Sequence, residues 1–308
     1  MKFAAVAGGS NKAIIGAFIA NMGIAIAKFV ASAFTGSSAM LSEGIHSVVD
    51  SGNSILLLVG KSRAKRPPNK KHPFGHGKEE YFWALIVAVL IFALGGAFSL
   101  YEGIHALEGG GHKDGSVLWN YGVLAFAVLL EGGSMYIAWT EFRKAHKGIP
   151  ILKAVRKSKD ASAFAILFED GAALLGLVIA LIGVTVSHFT GSHIPDAIAS
   201  ISIGALLCIV AVFLVIESKG LLVGEGLEPE NAERIEQMLS DIPEVTRFSS
   251  PLTLFFGPRE IMLALEVQFE ASLSDSEKNQ LIVEIEQKIK EVNPYVTRIF
   301  VEVHYLTK

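Results

Sequence analysis

Two short segments carry the residues with chemistry to offer: Glu43-Gly-Ile-His46-Ser-Val-Val-Asp50 and Phe168-Glu169-Asp170. Both lie inside long apolar runs, where an ionisable side chain is expensive to bury and marks an ion or substrate path. His46 and Asp50 are four residues apart, which puts them on one helix face, one turn from each other. An imidazole beside carboxylates is a ligand set for a divalent transition metal, zinc first. Glu43 precedes His46 by three residues and Asn53 follows Asp50 by three, so both extend the stripe. Glu169 points about 100° away from Asp170 on a helix, so the pair cannot aim equally well at one ion. Glu43 and Glu169 each read as an additional ligand, a proton carrier or a member of a structural network. Glu131 is a further deep carboxylate with the same open roles.

Elements able to position these residues follow from composition. The chain has 308 residues, 51% of them hydrophobic, and a mean hydropathy of +0.46. That is too apolar for an ordinary soluble protein of this size. Six apolar runs, at 11–33, 39–60, 81–106, 118–141, 161–187 and 195–217, each approach the ~20 residues that cross a bilayer. The first is expected to be a retained span, because no apolar core followed by a cleavage site stands out near the N-terminus. From about Glu225 charge becomes dense and the runs shorten. The expected domains are a six-span transmembrane unit over 1–220 and a soluble unit over 221–308.

The segments 61–79 and 142–159 each carry seven Lys or Arg, whereas 34–38 and 188–195 carry none. By the positive-inside rule the basic loops are cytoplasmic, and with six spans so are both termini. Topology accounts for these basic loops, and no nucleic-acid partner is expected. Counting about 1.5 Å per residue from the span ends, Asp50 lies roughly 14–17 Å deep and Asp170 roughly 15 Å. Half of a ~30 Å hydrocarbon core is about 15 Å, so both carboxylates are expected near the midplane, where transporter sites are built.

The C-terminal part reads as helix, strand, strand, helix, strand. Pro229 opens a helix, Val245–Phe256 and Glu260–Phe269 are strand-like, Ser274-Asp-Ser-Glu277 caps a helix to about Glu291, and 296–303 alternates as a last strand. This αββαβ order suits a small ferredoxin-like α+β domain with helices on one face. The single cysteine, Cys208, excludes an intrachain disulfide or thiolate cage. His72 and His76 form a second candidate metal site, in a Pro/Gly-rich loop where Asn69 can add an oxygen. A solvated loop is the alternative there.

At these residues the chain resembles the cation diffusion facilitator family of metal–proton antiporters, through its six runs, the His72-Pro-Phe-Gly-His76-Gly-Lys-Glu segment and the small C-terminal domain. The resemblance implies a transport site of two residues from each of the second and fifth spans. It maps onto His46 and Asp50, and onto Asp170. His72 and His76 map onto a loop metal site of some members, with Asn69 where those members have Asp. Zinc members usually place His four residues before the fifth-span Asp, but Ile166 stands there. The fourth ligand then comes from Glu169, Glu43, Asn53 or water. The segment 165–176 and Leu129-Leu130-Glu131-Gly-Gly-Ser look like the zinc-transporter-9-like branch. A homodimer is also implied, though only His304 offers an imidazole for metal in the soluble domain.

The expected function is secondary transport of Zn2+ out of the cytoplasm in exchange for H+, across a bacterial inner (plasma) membrane. Metal and protons compete for the same ligands, and His46 is suited to exchange protons near neutral pH. Rival substrates are Mn2+, Fe2+, Co2+ and Cd2+, since a site short of one His leans toward harder ions. A membrane-anchored metal sensor is the rival of another class, and an enzyme is not expected.

Overall fold

A computed structural model describes residues 11–109, 116–145, 148, 150, 154 and 159–303. Among the described residues, six long rods precede a small α+β unit. Helix α1 spans Asn11–Thr35 and α2 spans Ser38–Ala64. A continuous rod follows, built from α3 (Glu79–Leu90), a π-helical stretch (Ile91–Ala97) and α4 (Phe98–Gly109). Then come α5 (Leu118–Ala145), α6 (Ala161–Thr190) and α7 (Ile194–Val223).

Four of these rods, Glu79–Glu108, Leu118–Lys144, Ala161–Thr190 and Ile194–Val223, are long and apolar enough to cross a membrane. Helices α1 and α2 occupy the first two expected spans. The described apolar part of α1, Asn21–Thr35, is shorter. In α2 the site residues dilute the apolar character: Glu43, His46, Asp50 and Asn53 share the helix with Lys61 and Arg63. The bundle is apolar outside and buries a polar cluster within an apolar interior. Leu129, Ile209 and Phe189 stand exposed, whereas Lys28, Glu43, His46, Asn53 and Glu169 are buried.

Local chemistry explains the helix ends. Gly36 adopts a left-handed φ of 71° and turns the chain between α1 and α2. Ser37 then caps α2 by accepting from the Met40 N–H at 3.1 Å. Asp196, in the first turn of α7, reaches across to the same helix end. It accepts from the Ser38 N–H at 2.6 Å, the Ser37 hydroxyl at 2.7 Å and the Ser38 hydroxyl at 3.1 Å. A carboxylate at a helix N-terminus satisfies orphan donors and opposes the helix dipole. Asp160 caps α6 by accepting from the Ala163 N–H at 2.9 Å.

Helices α4 and α7 approach closely through glycine. A Cβ on Gly204 would lie 2.6 Å from the Leu100 nitrogen, and one on Gly103 would lie 2.8 Å from the Ile201 nitrogen. Small residues at such contacts let backbones pack where no hydrophobic drive separates helix from lipid.

The C-terminal unit contains α8 (Pro229–Ser240), β1 (Val245–Phe248), β2 (Leu252–Gly257), β3 (Glu260–Phe269), α9 (Asp275–Val292) and β4 (Val296–Val303). The strand expected over Val245–Phe256 is broken at Ser249-Ser250-Pro251, since proline cannot donate to a ladder. Both pieces run antiparallel to β3, Phe248 opposite Val267 and Leu252 opposite Ala264. Strand β4 pairs with β3 in parallel, from Ile261 opposite Val296 to Val267 opposite Val303. Because β4 covers the same β3 residues as β2, it lies on the other edge. Ile261, Leu263, Leu265 and Val267 are buried with Ile235 and Leu239 of α8 and Ile285 and Ile289 of α9. Ser274 and Glu277 form the expected reciprocal cap of α9.

Asp196→Ala should lower stability by about 1–3 kcal/mol, the cost of hydrogen bonds lost from a charged acceptor, while Asp196→Asn keeps part of it. Thermal unfolding of the purified protein in detergent reads the difference.

Candidate metal centre

Helix α2 presents Glu43, His46, Asp50 and Asn53 as one stripe. Glu43, His46 and Asn53 are buried and Asp50 is half-buried. The stripe faces α6, and two cross-helix contacts set the alignment. The Asn53 amide donates to Glu169 Oε1 at 2.7 Å. Glu43 Oε1 lies against Gly176, in space that a Cβ there would fill. The helices run antiparallel, so these contacts bracket His46 and Asp50 on α2 and Asp170 on α6. Asp170 in turn accepts from the Ser134 hydroxyl of α5 at 3.0 Å. Ile166, one turn before Asp170, is a buried apolar neighbour.

The carboxylates and imidazole therefore share one cross-section of the bundle. Among the described residues, no three His, Cys, Asp or Glu side chains converge closely enough to hold a metal. Asn53 and Glu169 engage each other. Glu43 engages a residue that sequence reasoning missed.

That residue is Lys28 of α1, fully buried. Its ammonium donates to Glu43 Oε2 at 2.9 Å, to Ser47 Oγ at 2.8 Å and to Glu131 Oε1 at 3.2 Å. Glu131 thus reaches the site through Lys28. A signal was available: Lys28 is the only charged residue in 13–42, seven residues short of the turn at Thr35. That is too deep, at about 10 Å, to be dismissed as an interfacial lysine.

The loop between α2 and α3 holds the second candidate. The His72 and His76 rings are 4.4 Å apart between centroids, and His72 is exposed. Asn69 Oδ1 accepts from the Lys71 and His72 N–H groups at 2.9 and 2.8 Å, so this oxygen shapes the turn. The loop rests on the open face of the sheet. Phe74 stacks on Phe256 at 4.9 Å, Arg298 lies over Phe74 at 5.1 Å and Lys78 lies over Phe256 at 5.6 Å. His304 lies outside the described residues.

Ion pairs fasten the same end of the bundle. Lys61 lies 3.9 Å from Glu80 and 3.8 Å from Asp160, and the Ser162 hydroxyl donates to Glu80 at 2.8 Å. Lys159 pairs with Glu225 at 2.6 Å and with Glu228 at 3.6 Å, in the link from α7 to α8.

Membrane-length apolar rods packed around ligand-type residues buried on two facing helices mark an integral membrane protein. The chain belongs to the cation diffusion facilitator (cation efflux) family: the family's "Cation efflux transmembrane domain" matches residues 14–223. Its similarity places it in the zinc-transporter-9-like branch of that family. It is 33% identical over 270 residues to the human proton-coupled zinc antiporter SLC30A9, mitochondrial, covering 84% of this chain and 47% of that protein. It is 30% identical over 266 residues to metal tolerance protein C4 of Arabidopsis thaliana, covering 86% of this chain and 58% of that protein. It is 25% identical over 301 residues to the manganese efflux system protein MneP of Bacillus subtilis, covering 96% of each. The chain spans about half the length of the mammalian relatives it matches.

A side chain at Gly77 would run into the Phe256 carbonyl. Gly77→Val should therefore lift the loop off the sheet, and faster amide hydrogen exchange over 252–257 is the expected readout.

Proposed function

We propose that this protein is a proton-coupled exporter of a divalent transition metal, Zn2+ first, with six spans and cytoplasmic termini. The observation that carries the reading is the crossing of α2 and α6, whose contacts at Asn53–Glu169 and Glu43–Gly176 bracket His46, Asp50 and Asp170. His46, Asp50 and Asp170 are the proposed ligands, closing on the ion as α2 and α6 shift against each other. Glu169, held by Asn53, is the group proposed to supply or orient a further oxygen in place of Ile166. Its alternative role is that of a proton carrier. Glu43 fits the network role better than the ligand role, because one of its oxygens is committed to Lys28.

Coupling follows from competition. The metal binds only deprotonated ligands, so a proton gradient inward strips the site on the outer side and the metal leaves. The names of the relatives support both zinc and manganese as cargo. The imidazole of His46 favours zinc, since an all-oxygen site suits manganese. The mixed sheet, with helices on one face, supports a ferredoxin-like C-terminal domain. Its surfaces are offered to a second copy in the proposed homodimer, and the loop pair His72 and His76 is a proposed accessory metal site. The membrane in question is proposed to be a bacterial inner membrane.

Metal-resolved flux into proteoliposomes with a set pH gradient tests the reading. Asp50→Ala and Asp170→Ala should each remove most of the flux while insertion stays intact. Flux above about half of the wild-type value in either variant takes that residue off the ligand set. His46→Asp should shift preference from Zn2+ toward Mn2+ by about tenfold or more. Unchanged competition between the two ions would mean that His46 does not touch the metal.

A further inference from the structure

Lys28 has no part in the ligand set, yet it is built into the bundle beside it. All three ammonium hydrogens have acceptors: Glu43 Oε2 at 2.9 Å, Ser47 Oγ at 2.8 Å and Glu131 Oε1 at 3.2 Å. The side chains of Lys28 and Glu43 are 0% exposed and that of Glu131 is 18% exposed. Each glutamate commits one oxygen to the ammonium. The other oxygens, Glu43 Oε1 and Glu131 Oε2, are buried with no hydrogen-bond partner among the described residues.

Stability alone does not account for this cluster. An apolar set of similar volume generally serves a core as well as, or better than, a buried ion triad, and a lysine at membrane depth points to function. The location shows which function. Ser47 adjoins His46, Glu43 lies one turn before it, and Glu131 lies within electrostatic reach of both His46 and Asp50. Without the ammonium, two more carboxylates would face the ion path. Such a pocket is an oxygen-rich site for a hard divalent cation.

We propose that Lys28 is a specificity-determining residue, a tethered cation that occupies Glu43 and Glu131 and keeps them from joining the site as metal ligands. The ammonium stands where a second cation would sit. It leaves the transported ion with His46, Asp50 and Asp170, a set that includes nitrogen. The inference rests on the assignment of those three residues as the site.

The test measures Zn2+ and Mn2+ binding, by competition and by ions bound per protomer, on the full chain in detergent. Lys28→Met should raise Mn2+ affinity relative to Zn2+ by about tenfold and add one Mn2+ per protomer, because it frees two carboxylates. Lys28→Arg, which keeps the charge, should restore the wild-type ratio. A Lys28→Met protein with the wild-type ratio and stoichiometry overturns the proposal. Lys28→Met leaves two acids buried without a cation and is prone to misfold. The charge-free variant Lys28→Met/Glu43→Gln/Glu131→Gln therefore provides an independent arm. It should bind both ions as the wild type does, and a changed ratio there overturns the proposal too, since Lys28 would then act on the ligands directly. Asp50→Ala in the wild-type background separates the two levels. If it keeps full Zn2+ binding, the site assignment fails, whatever Lys28→Met does to Mn2+.

Discussion

The bundle depends on one constraint: a polar stripe on α2 has to be buried where neither water nor lipid headgroups can satisfy it. Every group on the stripe that loses water needs a partner from a neighbouring helix. Helix α1 answers with Lys28 and α6 with Glu169, and α5 backs both, Glu131 on Lys28 and Ser134 on Asp170. The mutual packing of α1, α2, α5 and α6 is thus dictated by charge and hydrogen bonding as much as by shape. Apolar side chains fill the rest of the interior and also line the outside.

The two ends of α2 are held by different devices. At one end the Asp196 carboxylate closes the orphan N–H groups of the first turn, tying α2 to the start of α7. At the other, Lys61 lies between Glu80 of α3 and Asp160 at the start of α6. The second set is longer, at 3.8–3.9 Å, and its Asp160 end is partly exposed, so it is the weaker of the two and rearranges more readily. Motion of α2 against α6 is therefore easier at the loop end, where the α+β unit also attaches through Lys159, Glu225 and the Phe74–Phe256 stack. Such an arrangement lets the α+β unit bias how α2 and α6 shift against each other.

Much of this was legible in the chain itself. Apolar run lengths locate the helices to within a few residues, because bilayer thickness sets their length. The i, i+4 spacing of His46 and Asp50 puts them on one face, as helix geometry requires. The Ser274–Glu277 cap and the proline at 229 announce α9 and α8 from local chemistry alone. The break at Pro251 has a local cause as well, the donor that proline lacks, although the expected strand ran through it.

What the linear order cannot supply is register between helices distant in sequence. Periodicity assigns faces but says nothing of which residue lies opposite which, and that is decided by packing of whole helices. The pairing of Asn53 with Glu169 joins residues 116 positions apart, and Lys28 with Glu131 joins residues 103 apart. Hence Glu43, Glu131 and Glu169 carried the same open roles in the sequence, one carboxylate among several. Only the tertiary structure separates them, giving two to Lys28 and the third to Asn53, because a buried carboxylate takes its role from its partner.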